Sequence, residues 1–169
     1  MSDGAFGTLM SSADPAMVVV TTAAQGEQAG CLVGFHAQSS IDPEHYCVWL
    51  SKANHTYRIG LRARHFGVHF LTSADLAIAE HFGTLSGEDV DKFVDVDVEP
   101  EAGDVPLLAA CPNRILIEQI AVLDSDGDHV CVSARVLSSR TTGSFAPLRL
   151  SDFAHLNPGR SSDEHSIRP

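Results

Sequence analysis

Apolar and polar positions along the chain fall into short runs whose period is mostly that of β-strands. Val18-Val19-Val20-Thr21-Thr22 is β-branched and stops at the turn Gln25-Gly26-Glu27; Ala29 to Phe35 reads as a second strand, so a hairpin is expected. His45 to Leu50 is apolar on both faces and expects cover on both sides, from a helix or from a second subunit. The polar loop Ser51-Lys52-Ala53-Asn54-His55-Thr56 leads into a short predicted helix, Tyr57 to Ala63, and Phe66 to Leu71 returns to strand. Ser73 is placed to cap a helix over Ala74 to Phe82, with Asp75 in its first turn. Ser86-Gly87-Glu88-Asp89 offers another helix-start signal before Asp91-Lys92-Phe93.

The clearest pair is Ile115 to Leu123 with His129 to Leu137. Between them Asp124-Ser125-Asp126-Gly127-Asp128 is a hairpin connection in which Gly127 can take a positive φ. In the second arm Val130, Val132, Ala134 and Val136 share one face, and Cys131, Ser133 and Arg135 share the other. About six strands with a few short helices, and no long βαβ alternation, predict a mainly β (α+β) fold. A closed or nearly closed antiparallel barrel with helices at its ends is expected, over one domain, residues 1–156. The stretch 157–169 is polar with Gly and Pro and is expected to be a flexible tail.

Composition narrows the partners. The 169 residues carry 22 acidic against 11 basic side chains, a formal charge of −11, which disfavours nucleic acid and anionic membrane surfaces. Apolar runs such as Met17 to Val20 are too short to span a bilayer, and no signal-peptide pattern opens the chain. Cys31, Cys47, Cys111 and Cys131 are widely spaced among apolar neighbours, the pattern of buried reduced thiols. A soluble, cytoplasmic protein is expected.

Most chemical motifs fail. There is no P-loop, no G-x-G-x-x-G turn and no G-x-S-x-G elbow. Asp124, Asp126 and Asp128 open like a calcium loop, but positions six and twelve are His129 and Arg135 instead of Gly and Glu. His65 and His69 are four apart, yet Phe66, Val68 and Phe70 put them on a strand, read here as its solvated face. The acidic run from Asp89 to Glu101 reads as a solvated loop. With no nucleophile or metal set of its own, an enzyme of this kind would rely on a cofactor.

Several stretches in order resemble the flavin reductase family, over about Met17 to Leu156. They are Val18 to Thr22 with Gly30 and Ser40-Ile41-Asp42-Pro43; Leu50 to Tyr57; Phe66-Gly67-Val68 with Phe70-Leu71; and Phe82-Gly83 with Asp91-Lys92-Phe93. Pro106-Leu107-Leu108, then Gly127-Asp128-His129 between two strands, then Pro147-Leu148, Phe153 and Leu156 complete the match. The resemblance implies an FMN-binding split barrel, working as a homodimer with the flavin near the interface. It implies that Val33, Gly34, Phe35, His36, Ala37, Gln38 and Ser39 line the isoalloxazine, largely through backbone groups. It assigns the phosphate to Ser51, Lys52, Asn54, His55 and Thr56.

That second assignment has independent chemical sense, since short hydroxyl and amide donors plus one ammonium suit a dianion, and a helix starting near Thr56 adds its positive end. The competing reading of the loop is helix capping by Asn54 or Thr56. The chain departs from the family where members often carry Asn-Ser, an aromatic and a hydroxyl residue: here stand Gly34, Phe35, His36 and Ala37. The implied reaction is hydride transfer from NADH or NADPH to FMN and on to an acceptor or a partner monooxygenase, with His129 beside the nicotinamide. FAD or the deazaflavin coenzyme F420 are alternative cofactors, and a flavin-storing or flavin-sensing module without turnover is the alternative role.

Overall fold

The structure, a computed structural model, describes residues 4–154. Leu156 and the tail expected at 157–169 lie outside the described residues. In chain order the elements are α1 (Ala5–Ala13), β1 (Val18–Ala24), β2 (Glu27–Val33), β3 (His36–Ser40), β4 (His45–Ser51), α2 (His55–Gly60), β5 (His65–Phe70) and α3 (Leu76–Thr84). There follow β6 (Val98–Glu101), β7 (Val105–Leu108), β8 (Arg114–Asp124) and β9 (His129–Arg140).

Seven strands form one antiparallel sheet in the order β2-β1-β5-β8-β9-β4-β3, and β6 pairs with β7 alone. One face of that sheet curls around a shared core: Val18 and Val20 of β1, Val48 and Leu50 of β4, Phe66 and Val68 of β5, Ile117 of β8, and Val132 and Ala134 of β9. The strict period of two explains the sorting, because Cys47, Trp49 and Ser51 alternate with Val48 and Leu50 and so take the outer face. The sheet does not close. Its edges are β2 and β3, consecutive strands joined only by Gly34 and Phe35, and Ile59 of α2 enters the core. The barrel is split there, as the resemblance implied.

A second apolar cluster sits outside β1, where Met17 and Val19 meet Ala79 and Phe82 of α3 together with Leu71, Leu108, Cys111, Leu148 and Phe153. β1 is therefore covered on both faces and every one of its residues is buried. Gly67 of β5 makes that layer possible: a Cβ there would lie 2.5 Å from Leu107 Cδ2 and 2.8 Å from Thr21 Oγ1.

His69 corrects the reading of a solvated strand face, for it is fully buried. Its Nδ1–H donates to the Val19 carbonyl at 3.0 Å, and its Nε2 accepts the Leu108 N–H at 2.9 Å. A carbonyl can only accept and an amide only donate here, so the ring is the neutral Nδ1–H form. His69 is a buried staple joining β5 to β1 and to the end of β7. On β8, the shielded Glu118 carboxylate takes Arg64 at 2.5 Å and Arg135 at 2.6 Å, which, Arg135 first, hold it below the usual carboxylate range.

Other local expectations shift. α1 and β3 carry no strong period and were not anticipated. The cap before α3 is Thr72, not Ser73: Thr72 accepts the Ala74 N–H at 3.3 Å while Asp75 accepts the Thr72 N–H at 2.7 Å, a reciprocal box. α2 starts two residues earlier than predicted and ends at Gly60. The signal at Ser86 starts only turns, and in the β8–β9 connection the positive φ, 68°, belongs to Asp126 instead of Gly127. The four cysteines are buried and unpaired.

Candidate functional site

The split in the barrel is also a cleft. Cys31, Leu32 and Val33 of β2, the connecting Gly34 and Phe35, Trp49 and Ser51 of β4, Asn54, and His129 at the start of β9 enclose about 100 Å³. Register brings His129 here, because it pairs with Ser51 across β4 and β9. The Lys52 N–H, donating to the Asp128 carbonyl at 2.9 Å, extends that ladder into the loop. Gly34 packs on Met17, whose Sδ lies 3.2 Å from where a Cβ would stand, and the Phe35 carbonyl accepts the Trp49 N–H at 2.9 Å.

His129 Nδ1 lies 2.7 Å from Asp128 Oδ1. A carboxylate accepts, so the proton sits on Nδ1, and Nε2 has no partner among the described residues. The His129 ring faces the Phe35 ring at 4.8 Å between centroids, tilted by 52°.

The loop Ser51 to Thr56 is folded on itself. Asn54 N–H donates to the Ser51 carbonyl at 3.0 Å, Ser51 Oγ accepts the Ala53 N–H at 3.3 Å, and Asn54 Oδ1 accepts the Thr56 N–H at 3.1 Å as the cap of α2. The capping reading of this loop is thus real, but it uses only the amide oxygen of Asn54. Its NH₂ group and the Ser51 hydroxyl proton have no hydrogen-bond partner among the described residues, and both residues line the cleft. Replacing Asn54 with Ala is expected to cost about 1 kcal/mol in urea unfolding, and Asn54→Asp to restore most of it, since a carboxylate caps equally well.

Lys52 turns away from the cleft, with its ammonium on Asp124 at 2.9 Å, a hydrogen bond that holds the lysine pKa up and the aspartate pKa down. His55 lies against Gly87, and burial lowers its pKa. Thr56 is buried with its hydroxyl against the Cys31 thiol, whose pKa is pushed up by desolvation.

On β3, His36 donates from Nε2 to the Ala16 carbonyl at 2.7 Å and accepts the Tyr46 hydroxyl at 2.6 Å on Nδ1. Burial lowers the His36 pKa and raises that of Tyr46 to about 12, so both stay neutral. Ala37, Gln38 and Ser39 are exposed. Of the thirteen residues singled out from sequence, the cleft therefore gathers Val33, Gly34, Phe35, Ser51, Asn54 and His129.

Sequence reasoning missed Cys31, Leu32 and Trp49 as lining, although each lies within two residues of a position it named. It also missed Lys92. That side chain is 4% exposed, donates to the Gly30 carbonyl at 2.8 Å and the Phe82 carbonyl at 3.0 Å, and has its pKa lowered by burial. The stretch read as a solvated acidic loop is anchored by this residue. Beside it, a cleft of about 400 Å³ opens between Gly26–Gly30 and Gly87–Phe93.

Residues 10–152 match the family described as flavin reductase like domain, over most of the chain. The chain belongs to this family. Solved structures share the fold of this flavin reductase-like chain. A candidate oxidoreductase from Sinorhizobium meliloti 1021 is 21% identical with a TM-score of 0.77, over 88% of this chain and 51% of that one. The chain thus spans about half the length of that relative. The FMN-binding protein from Thermus thermophilus, solved with bound 1-cyclohex-2-enone, is 23% identical with a TM-score of 0.68, over 74% and 69%. Flavin reductase HpaC, solved with NADP+, is 19% identical with a TM-score of 0.71, over 86% and 98%. In this flavin reductase-like fold no helix among the described residues is long and apolar enough to cross a membrane.

Proposed function

We propose that this flavin reductase-like chain binds FMN at the split of its barrel and passes hydride from NADH or NADPH to the flavin, and on to an acceptor or a partner monooxygenase. One observation carries the reading: the fold brings Ser51 and Asn54 from the β4–α2 loop to the same cleft as His129 and the Gly34–Phe35 backbone. The residues fit the group. A hydroxyl and an amide with unused donors suit a phosphate dianion, and apolar Leu32, Val33 and Phe35 suit an aromatic ring system.

Bound flavin supplies the two-electron chemistry. In this reading Ser51 and Asn54 orient the phosphate end, and Leu32, Val33 and Phe35 exclude water from the ring. His129, its proton kept on Nδ1 by Asp128, offers Nε2 as an acceptor for the carboxamide N–H of a nicotinamide. The homodimer belongs to the proposal too. Phe6, Leu9 and Met10 of α1, and Leu123 and Leu137 on the β8–β9 arms, are apolar and exposed. A cytoplasmic setting accords with four unpaired, buried cysteines.

The test is the absorbance spectrum of the protein after mixing with FMN and desalting, then anaerobic addition of NADH or NADPH. Bands near ~370 and ~450 nm that bleach with nicotinamide are expected for a flavin that accepts hydride. His129→Ala is expected to slow nicotinamide oxidation by ~10-fold or more, the scale of a lost positioning contact. An unchanged rate would remove His129 from the site, and binding without bleaching would favour a flavin-storing module.

A further inference from the structure

Phe35 lines the cleft with a fixed backbone and is itself exposed. Its carbonyl is bonded to Trp49, and Gly34 before it is pressed on Met17. The residue, by contrast, is 57% exposed, and its ring packs against that of His129. The cleft that both rings line measures about 100 Å³, whereas sites for ligands of drug size hold roughly 300–1,000 Å³.

Something must yield for a planar ring system to enter. Val33 and Trp49 belong to strands of the main sheet, and His129 is held by its strand pairing with Ser51 and by Asp128. Among the described residues Phe35 has one aromatic contact, the His129 ring, and an exposed side chain changes rotamer within nanoseconds.

We propose that Phe35 is a side-chain gate: its ring against His129 narrows the cleft, and its rotation admits a planar ring that it then covers. The ligand identity rests on the flavin reading above. The gate itself does not. Because rotation is fast, the gate acts through population, reducing the apparent entry rate by the fraction of time it stands open. An aromatic pair of ordinary strength leaves it open about one-fifth of the time, so removing the ring should raise the association rate about fivefold.

The chain has a single tryptophan, Trp49, and it lines the cleft. Its fluorescence is therefore a local reporter. In stopped-flow mixing with FMN or riboflavin, Phe35→Ala and Phe35→Leu should quench Trp49 with an association rate about fivefold above wild type. Dissociation should accelerate as well, since the cover is gone. An association rate equal to or below wild type in both variants overturns the gate.

Acrylamide quenching of Trp49, which needs no bound ligand, should roughly double in Phe35→Ala, and no change there also overturns it. Should FMN leave Trp49 fluorescence untouched in every protein while acrylamide access rises, the gate stands and the flavin reading falls.

Discussion

Replacing His69 with Leu is expected to cost about 4 kcal/mol in urea unfolding followed by Trp49 fluorescence, roughly a quarter or more of a typical domain's stability. The substitution keeps the volume but strips partners from two buried backbone groups, the Val19 carbonyl and the Leu108 N–H. Each such orphan costs about 1–3 kcal/mol. Water cannot replace the ring, because His69 sits beneath the layer built on Gly67 and Leu107.

The same residue predicts a pH dependence. Burial holds the His69 imidazole down at about 4, against an ordinary value of 6.5. Between those values the unfolded chain binds a proton that the folded one refuses. His69 therefore leaves stability undiminished above pH 6.5 and subtracts from it as pH falls toward 4, by up to about 3 kcal/mol. His36 and His55, also lowered by burial, act in the same direction. The decisive quantity is the difference between wild type and His69→Leu across pH 4 to 6.5. If both lose stability in parallel over that range, His69 is not held neutral by its site.

Ser51→Asp carries the largest expected functional effect. In the flavin reading the Ser51 hydroxyl faces the phosphate, and an aspartate there sets like charges about 4 Å apart. At an effective dielectric near 20 that repulsion reaches ~4 kcal/mol per charge pair before screening, so FMN should bind at least ~100-fold more weakly. Riboflavin lacks the phosphate and should lose little. Equilibrium titration of both ligands against Trp49 fluorescence separates the outcomes. Equal losses for FMN and riboflavin would mean that the loop shapes the cleft without holding the phosphate.

Strand period and turn chemistry made the barrel legible: β1, β2, β4, β5, β8 and β9 announce themselves through β-branched runs and the Gly26 and Asp124–Asp128 turns. β3 did not, because Ala37, Gln38 and Ser39 are exposed polar or small residues on an edge strand, where no buried face imposes alternation. α1 hid for a similar reason, since none of its residues is buried. At the site, Ser51, Asn54 and His129 were legible as ordered motifs. The direction of Lys52 was not, for its choice of Asp124 depends on a hairpin 72 residues away. His69 was misread because period two says which residues share a face but not which face is covered; α3 and the Leu107–Leu108 segment decide that, and their placement is tertiary.

Lys92 bears on how an open sheet keeps its β2 edge from pairing with another strand. An edge strand presents unpaired backbone groups to any passing extended chain, and natural proteins guard such edges. β2 is an edge strand by virtue of the split, and its Gly30 carbonyl takes its hydrogen bond from a buried ammonium. A strand arriving from another molecule would have to displace that ammonium, stranding a charge away from water. The edge that the split leaves open is thereby made inhospitable to a further strand.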